Sequence, residues 1–297
     1  MQSKHCNYTA EELIVGAYDL HVHSAPSHIR RTVDDIDVLQ QASAYHMGGV
    51  IIKCHYEPTG ARAELVNRHF GKKDGTVSIG SITLNWPVGG LNPYAVESAC
   101  RLGAKYIWMP TRDAYHSLAF GNMIGDFFRR PGIKVIDESG KLLPCVLEIL
   151  EIAREKKVPV ATGHISLEES IILCTEGVKM GNKMILTHPE WSRTTTPLEV
   201  QQDLARRGVW IEKVWLNIAE KDVTEQYLFH TIREIGAEHI FIGTDSGKDI
   251  SDHEKTPLLR PVDAYLDLLT RLIHAGFSED EVLLMSKSNP HYLIYNN

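Results

Sequence analysis

Two histidines one residue apart give the first indication of chemistry in this chain. His21 and His23 end a short stretch that begins at Tyr18 and has the composition of a buried strand. Because residues i and i+2 of a strand point to the same face, the two imidazoles project side by side. A pair at this spacing can bind one metal ion. Taken alone, it is equally typical of two surface histidines at a strand end.

Three later strand-like stretches also end in a residue of metal-ligand type. These residues are His164, His188 and Asp245. Imidazole nitrogens and carboxylate oxygens are common ligands of Zn²⁺ and similar ions. Polar ends on several strands of one repeating strand–helix pattern therefore indicate a common site.

Length and composition set the class of protein. The chain has 297 residues, 43% of them hydrophobic and 23% charged, which is typical of a globular protein. This length fits one barrel-sized domain or two small ones. Because no linker divides the sequence, we expect residues 1–297 to form a single domain. The formal net charge is -7 without a basic run, and nucleic acid is therefore not an expected partner.

Cysteine usage and the amino terminus indicate the compartment. The five cysteines are far apart and form no Cys-x-x-Cys pair, so neither a disulfide framework nor a zinc ribbon is expected. The first ten residues lack the apolar core of a signal peptide, and no apolar run approaches the ~18 residues of a membrane span. We expect a cytoplasmic protein with no membrane partner; a homo-oligomer is compatible with the sequence.

Hydrophobic patterns predict about eight strands, each followed by a helix. The predicted strands cover residues 18–23, 50–55, 77–84, 105–110, 158–164, 183–188, 209–213 and 239–245. Alternating strands and helices favour parallel pairing with right-handed crossovers, and eight such units predict an α/β fold of the (β/α)8 TIM-barrel type. An open doubly wound sheet is the alternative. The barrel is preferred because only a closed barrel makes strands one and eight neighbours, which brings their ligand-type ends together.

An insertion follows the fourth strand. Residues 114–143 separate that strand from the next clear helix, and they are rich in aromatic residues and glycine. Within them, residues 133–142 have the pattern of a small hairpin. A connection of this length is uncommon unless it is functional or disordered. A lid over the site and a decorated surface loop are equally supported.

The order of these motifs resembles the amidohydrolase superfamily of metal-dependent hydrolases. Its members carry a His-x-His pair on strand one, histidines on strands five and six, and an aspartate on strand eight. The matching residues here are His21, His23, His164, His188 and Asp245, and Asn289-Pro290 resembles an Asn-Pro pair near the end of several members. The resemblance runs from residue 18 to about 294. It implies an enzyme with one or two divalent ions, Zn²⁺ first, with Mn²⁺, Fe²⁺ or Ni²⁺ as alternatives.

The resemblance also implies a reaction. A bound ion lowers the pKa of its water toward neutrality and polarises a carbonyl or phosphoryl oxygen. Asp245 would accept the proton of that water and pass it to the leaving group. His188 would bind a second ion, or polarise the substrate carbonyl if there is only one. The expected substrate is a small molecule with an amide, ester, lactone or phosphoester bond.

One departure from the family pattern concerns strand four. Members with two ions often place a carboxylated lysine or a glutamate there, and this chain has neither. Lys53, on strand two, could carry CO2 as a carbamate that bridges two ions, bind an anionic group of the substrate, or only line the barrel mouth. His55 lies on the same face of that strand as Lys53. It could be a metal ligand, a residue that supports a ligand, or only a pocket residue.

Four other polar or aromatic residues follow strands where specificity residues lie in such barrels. They are Asn85, Trp86, Arg112 and Lys213. Arg112 could clamp an anionic group through its guanidinium, although an ordinary surface role fits it equally well.

Other functions compete with hydrolysis. A metal-dependent decarboxylase of the same superfamily uses one ion with the His-x-His pair, the strand-five histidine and the strand-eight aspartate. The opening Asp-Leu-His-Val-His-Ser is also similar to the PHP phosphoesterase family, but the Thr-Asp-Ser around Asp245 departs from the Asp-x-His usual there. A barrel that binds metal without turnover is the third alternative.

Overall fold

Eight parallel strands, neighbours in sequence order, form the centre of the molecule. A computed structural model describes residues 8–73, 75–121, 130–248 and 260–295. The strands are β1 (Tyr18–His23), β2 (Gly49–Lys53), β3 (Val77–Thr83), β4 (Ala104–Trp108), β5 (Val160–Ala161), β6 (Met184–Leu186), β7 (Trp210–Val214) and β8 (Ile240–Gly243).

Backbone hydrogen bonds join the residues after β8 to β1 and close the sheet. The amide of Asp245 donates to the carbonyl of His21 at 2.9 Å, and the amide of His23 donates to that of Ser246 at 2.9 Å. Val22 and Ser246 are paired as in a parallel ladder. The predicted (β/α)8 barrel is therefore confirmed.

Helices surround the strands. They are α1 (Ala10–Leu13), α2 (Asp35–Ala44), α3 (Gly60–Phe70), α4 (Pro93–Arg101), α5 (Tyr115–Phe120), α6 (Pro144–Lys156), α7 (Leu167–Lys179), α8 (Leu198–Arg206), α9 (Trp215–Ala219), α10 (Glu225–Ile235), α11 (Pro261–His274), α12 (Glu279–Leu283) and α13 (Asn289–Tyr295). Local sequence sets several starts: Ser166 and Glu169 form a capping box before α7, and Asn92 caps α4 ahead of Pro93. Within the described ranges, no helix is long and apolar enough to cross a membrane.

The interior of the barrel is filled with apolar and aromatic side chains. They include Tyr18, Leu20, Ile51, Ile79, Tyr106, Trp108, Ala161, Ile185 and Phe241, with Leu293 and Ile294 of α13 packed against them. The rings of Tyr106 and Trp108 lie 4.2 Å apart between centroids. Since this packed layer fills the barrel, the polar strand ends sit on a solid floor and not over a pore.

A β-bulge in β1 changes the direction of its side chains. Asp19 pairs with Val50 and Val22 with Ile52, so β1 holds one more residue than β2 over this interval. Leu20 packs inside the barrel, whereas Val22 packs in the layer between barrel and helices. Regular alternation after Leu20 would point His21 outward, and the bulge instead turns its side chain toward the barrel interior. Bulges beside functional sites often redirect a side chain in this way.

The described part of the 114–143 insertion lies against loops at the carboxyl ends of the strands. The indole of Trp86, after β3, donates to the carbonyl of Pro131. The guanidinium of Arg193, after β6, donates to the carbonyls of Ser117 and Gly121. The predicted hairpin is present as a short antiparallel pairing of Ile136 with Leu142. Residues 122–129 lie outside the described residues, and the lid role stays a prediction.

Gly163 allows β5 to end close to β4. Its φ is +63°, and an added Cβ would lie closer than 3.0 Å to the carbonyl oxygens of Met109 and Pro110. We therefore expect Gly163→Ala to lower the free energy of unfolding by at least about 2 kcal/mol, measured by urea denaturation. Gly140→Ala is the control, because Gly140 has φ +77° but open space around it. It should cost about 1 kcal/mol; equal losses in the two variants would show that crowding at Gly163 is unimportant.

Candidate metal centre

Five buried imidazoles form a ring at the carboxyl ends of the strands. His21 and His23 belong to β1, His55 follows β2, His164 follows β5 and His188 follows β6. Going around the ring in that order and back to His21, neighbouring centroids are 5.5, 4.9, 6.2, 5.2 and 5.7 Å apart. Residues that are far apart in sequence are thus brought to one site.

Asp245 supplies a carboxylate to this ring. Its Oδ1 atom is 3.1 Å from Nε2 of His21 and 3.1 Å from Nε2 of His23. The donor atoms of these three residues lie within 4.8 Å of one another. Two ligands at about 2.0–2.1 Å from a tetrahedral zinc are roughly 3.3 Å apart. The three side chains therefore fit one divalent ion with little rearrangement.

Groups on the far side of three imidazoles are placed to support the tautomer that binds metal. Nδ1 of His21 lies 2.9 Å from a carboxylate oxygen of Glu212, and Nδ1 of His23 lies 3.2 Å from the carbonyl of Lys53. Nδ1 of His188 lies 3.0 Å from the hydroxyl of Thr194, whose proton goes to the carbonyl of His188. Each Nδ1 faces an acceptor, so it can carry the proton when Nε2 binds a metal ion. This leaves the Nε2 lone pairs for a metal ion.

His164 differs from the others. Its Nδ1 atom is buried and has no hydrogen-bond partner among the described residues. Its ring packs against Trp191, which also contacts His188, at centroid distances of 4.9 and 5.2 Å. A buried nitrogen without a partner is costly, and coordination of a metal ion through Nδ1 would satisfy it.

Burial keeps most of these histidines neutral. It lowers the pKa values of His23, His55 and His164 well below the usual range, and that of His188 to about 4. Neutral imidazole is the form that binds metals. Burial alone would raise the pKa of Asp245, but His21 and His23 hold it well below its usual range. The carboxylate is therefore ionised at neutral pH.

Lys53 lies inside the site. Its Nζ atom is 2.8 Å from Nε2 of His21 and 4.7 Å from the centroid of Trp108. Burial lowers the pKa of Lys53 to about 8, whereas the carboxylates of Asp245 and Glu212 outweigh burial and raise that of His21 to about 9. Two protonated nitrogens cannot donate to each other at this distance, so one of the pair is neutral.

Two of the strand-end residues adopt strained backbone conformations. His188 has φ +25° and Asp245 has φ +52°, values that residues other than glycine rarely adopt. Such strain persists where the surrounding structure enforces it, and it is concentrated at functional sites.

The residues after β3 and β4 hold the loop that carries His55. The side-chain amide of Asn85 donates to the carbonyl of His55 and to the hydroxyl of Thr111, which in turn lies 2.8 Å from Nδ1 of His55. Trp86 is 40% exposed, while Arg112 is buried at the same end of the barrel. The structure therefore brings Asn85, Trp86 and Arg112 to the surroundings of the site.

Lys213 is placed elsewhere. Its ammonium is fully buried and forms an ion pair with Glu190, with further hydrogen bonds to Gln201 of α8 and Thr231 of α10. Strand residues alternate between faces, so Lys213 points outward to the helices while its neighbour Glu212 points inward to His21. The expectation that Lys213 contacts substrate does not fit this position.

Glu212 is the residue that sequence reasoning missed. One of its oxygens contacts Nδ1 of His21, and the other accepts the backbone amide of His188 at 3.1 Å. Burial would raise the pKa of this carboxyl, but His21 lowers it below its usual range. The sequence feature that could have indicated Glu212 is a charged residue within an apolar strand, one position before Lys213.

Comparison with known proteins identifies the family. Residues 16–212 match the family described as "Family of unknown function (DUF6282)". The chain belongs to this family. Among curated proteins, none matches this DUF6282 chain in sequence.

Solved structures share the fold of this DUF6282 chain. An amidohydrolase from Pseudomonas aeruginosa superimposes with a TM-score of 0.65 at 13% identity, over 97% of this chain and 98% of that one. An organophosphorus hydrolase from Deinococcus radiodurans gives 0.58 at 15% identity, over 97% and 94%. A probable dipeptidase, PvdM, from Pseudomonas aeruginosa gives 0.62 at 11% identity, over 94% and 95%. The predicted resemblance to the amidohydrolase superfamily is thus confirmed for the fold.

The paired histidines of β1 provide a direct test of metal binding by this DUF6282 chain. Replacing both His21 and His23 by alanine removes two of the three clustered donors, so we expect most of the bound divalent metal to be lost. Mass-spectrometric metal analysis of the purified variant measures this. The control replaces the exposed His230 and His274, which should leave metal content unchanged. Equal metal content in both double variants would contradict a centre built on β1.

Proposed function

We propose that this chain is a metal-dependent hydrolase that cleaves an amide, ester, lactone or phosphoester bond of a small molecule. The observation that carries the proposal is the position of Asp245, whose Oδ1 atom faces the Nε2 atoms of His21 and His23 at equal distances. Histidine and carboxylate ligands around a divalent ion are suited to the activation of a water molecule.

The residues suited to hold metal form two groups. His21, His23 and Asp245 would bind the first ion, and His164 and His188 would contribute to a second. Nitrogen and carboxylate donors favour Zn²⁺, with Mn²⁺, Fe²⁺ or Ni²⁺ as alternatives. When bound, such an ion lowers the pKa of a coordinated water and polarises the oxygen of the substrate.

Asp245 is the proposed proton acceptor. Its Oδ1 faces the histidines, while no described residue hydrogen-bonds to Oδ2, and the side chain is 17% exposed. Oδ2 can therefore take a proton from the attacking water and return it to the leaving group. His188, held by Thr194, would orient the substrate carbonyl if a second ion is not bound.

The position of Lys53 favours a carbamate. An ammonium 2.8 Å from Nε2 of His21 would repel a dication bound to that nitrogen. Reaction of the neutral amine with CO2 forms an N–C bond, releases one proton and replaces the repelling cation with an anionic oxygen ligand. We propose this state for Lys53, since β4 presents Trp108 and no carboxylate at this level.

Other features support the setting of this activity. Cys54, Cys100, Cys145 and Cys174 are free thiols, which supports a reducing cytoplasm as the location. The contacts of the 114–143 insertion with Trp86 and Arg193 support a role as a cover over the bound substrate.

Asp245→Asn tests the proton acceptor. The variant keeps the shape and one ligand oxygen but loses basicity. We expect it to fold and retain much of its metal while turnover falls at least ~100-fold. A panel of amide, ester, lactone and phosphoester substrates, with CO2 release followed in parallel, identifies the assay. Asp280→Asn, at an exposed position of α12, is the control. Near-normal turnover with full metal would assign the proton to another group, and CO2 release without hydrolysis would favour a decarboxylase.

Native mass spectrometry tests the carbamate. The metal-loaded wild-type protein should carry the mass of one CO2, and Lys53→Met should lack it and bind less metal. Lys183→Met is the control, because Lys183 lies at the opposite end of β6 beside Tyr292 and should leave both measurements unchanged. A loaded wild-type protein without the added mass, with intact metal content, would exclude this state of Lys53.

A further inference from the structure

Arg31 brings a second cationic group to the metal centre from the loop after β1. Its Nη2 atom is 3.3 Å from Nδ1 of His23. Nε2 of His23 faces Asp245, and when a metal ion is bound there Nδ1 carries the proton, donates to the carbonyl of Lys53 and does not accept from Arg31. In that metal-bound state the contact places the guanidinium beside the histidine without satisfying the donor on Nη2.

The guanidinium of Arg31 is poorly satisfied by the protein. Among the described residues, its buried Nε atom has no hydrogen-bond partner, and no carboxylate forms an ion pair with the guanidinium. The charge of Asp245 is close, but its Oδ1 is directed at the histidines. A desolvated cation without an anionic partner is costly, which indicates that a ligand supplies the partner.

The position of Arg31 is fixed by the backbone. Arg31 pairs with Lys248, and the amide of Thr32 donates to the carbonyl of Gly247 at 3.2 Å. The loop is thereby attached to the segment that follows Asp245. A fixed guanidinium loses little entropy on binding a planar or tetrahedral oxyanion through two N–H groups.

Arg112 adds a second positive charge on the same side of the site. A guanidinium stays protonated at neutral pH, so Arg31 is a cation there. The chain as a whole has a net charge of -7. The positive charge is therefore local to the site and would concentrate anionic molecules there.

We propose that Arg31 binds an oxyanion of the substrate, a carboxylate or a phosphate, beside the bond that is cleaved. The substrate class is accordingly a small anionic molecule and not a neutral one. The assignment of this anion to a substrate rests on the proposed hydrolase function, whereas anion binding by Arg31 does not.

Isothermal titration with two simple anions tests the proposal. Inorganic phosphate and acetate are titrated separately into zinc-loaded wild type, Arg31→Gln, Arg31→Lys and Arg30→Gln. We expect Arg31→Gln to weaken binding of at least one anion about 10–100-fold, with metal content and the Lys53 mass unchanged. Arg31→Lys should recover part of this loss. Arg30 is the exposed preceding residue, and Arg30→Gln removes the same charge as a control. The anion that depends on Arg31 identifies the group.

The contrary results are equally defined. Wild type that binds neither anion, or equal affinities in wild type and Arg31→Gln, would overturn the proposal. If Arg31→Gln does not fold, Arg31→Lys tests the proposal instead, because loss of the planar guanidinium should weaken binding of the anion. The same titrations on chelator-treated protein separate the two claims. Arg31-dependent binding there supports the anion site even if no hydrolysis is found, and hydrolysis without it supports the hydrolase alone.

Discussion

The seam between β1 and β8 is the constraint on which the rest of the site depends. The buried carboxylate of Asp19 accepts the backbone amides of His21 and Thr244, each at 3.1 Å, and the hydroxyl of Thr244 at 2.6 Å. Burial is the main reason that its pKa rises to about 7. One side chain thus joins the first and last strands directly below the metal centre. If the seam opened, Asp245 would move away from His21 and His23.

The supporting residues divide the electrostatic problem of the centre among several elements. Glu212 stabilises the proton on Nδ1 of His21, Thr194 does so for His188, and a backbone carbonyl does so for His23. Each partner comes from a different loop or strand. The lone pairs therefore converge because the barrel converges, and the orientation of the imidazoles depends on groups that never touch the ion.

Sequence reasoning found the fold and the inner residues for a physical reason. The two-residue period of strands, the alternation with helices and the order of ligand-type strand ends are all properties of local sequence. The β1 bulge was not predictable, because it depends on pairing with β2. The choice between Glu212 and Lys213 required knowing which face of β7 points inward. Arg31 was not predicted, because only the pairing of its loop with Lys248 places it at the site.

The positive φ values at His188 and Asp245 have a consequence for how this family can change. At both positions a glycine would relax the backbone, yet each glycine would delete a donor. Stability and metal chemistry therefore oppose each other at the same two residues. Selection of variants for thermal stability alone would favour glycine at these two positions and remove metal binding. His188 and Asp245 therefore persist only under selection for their function.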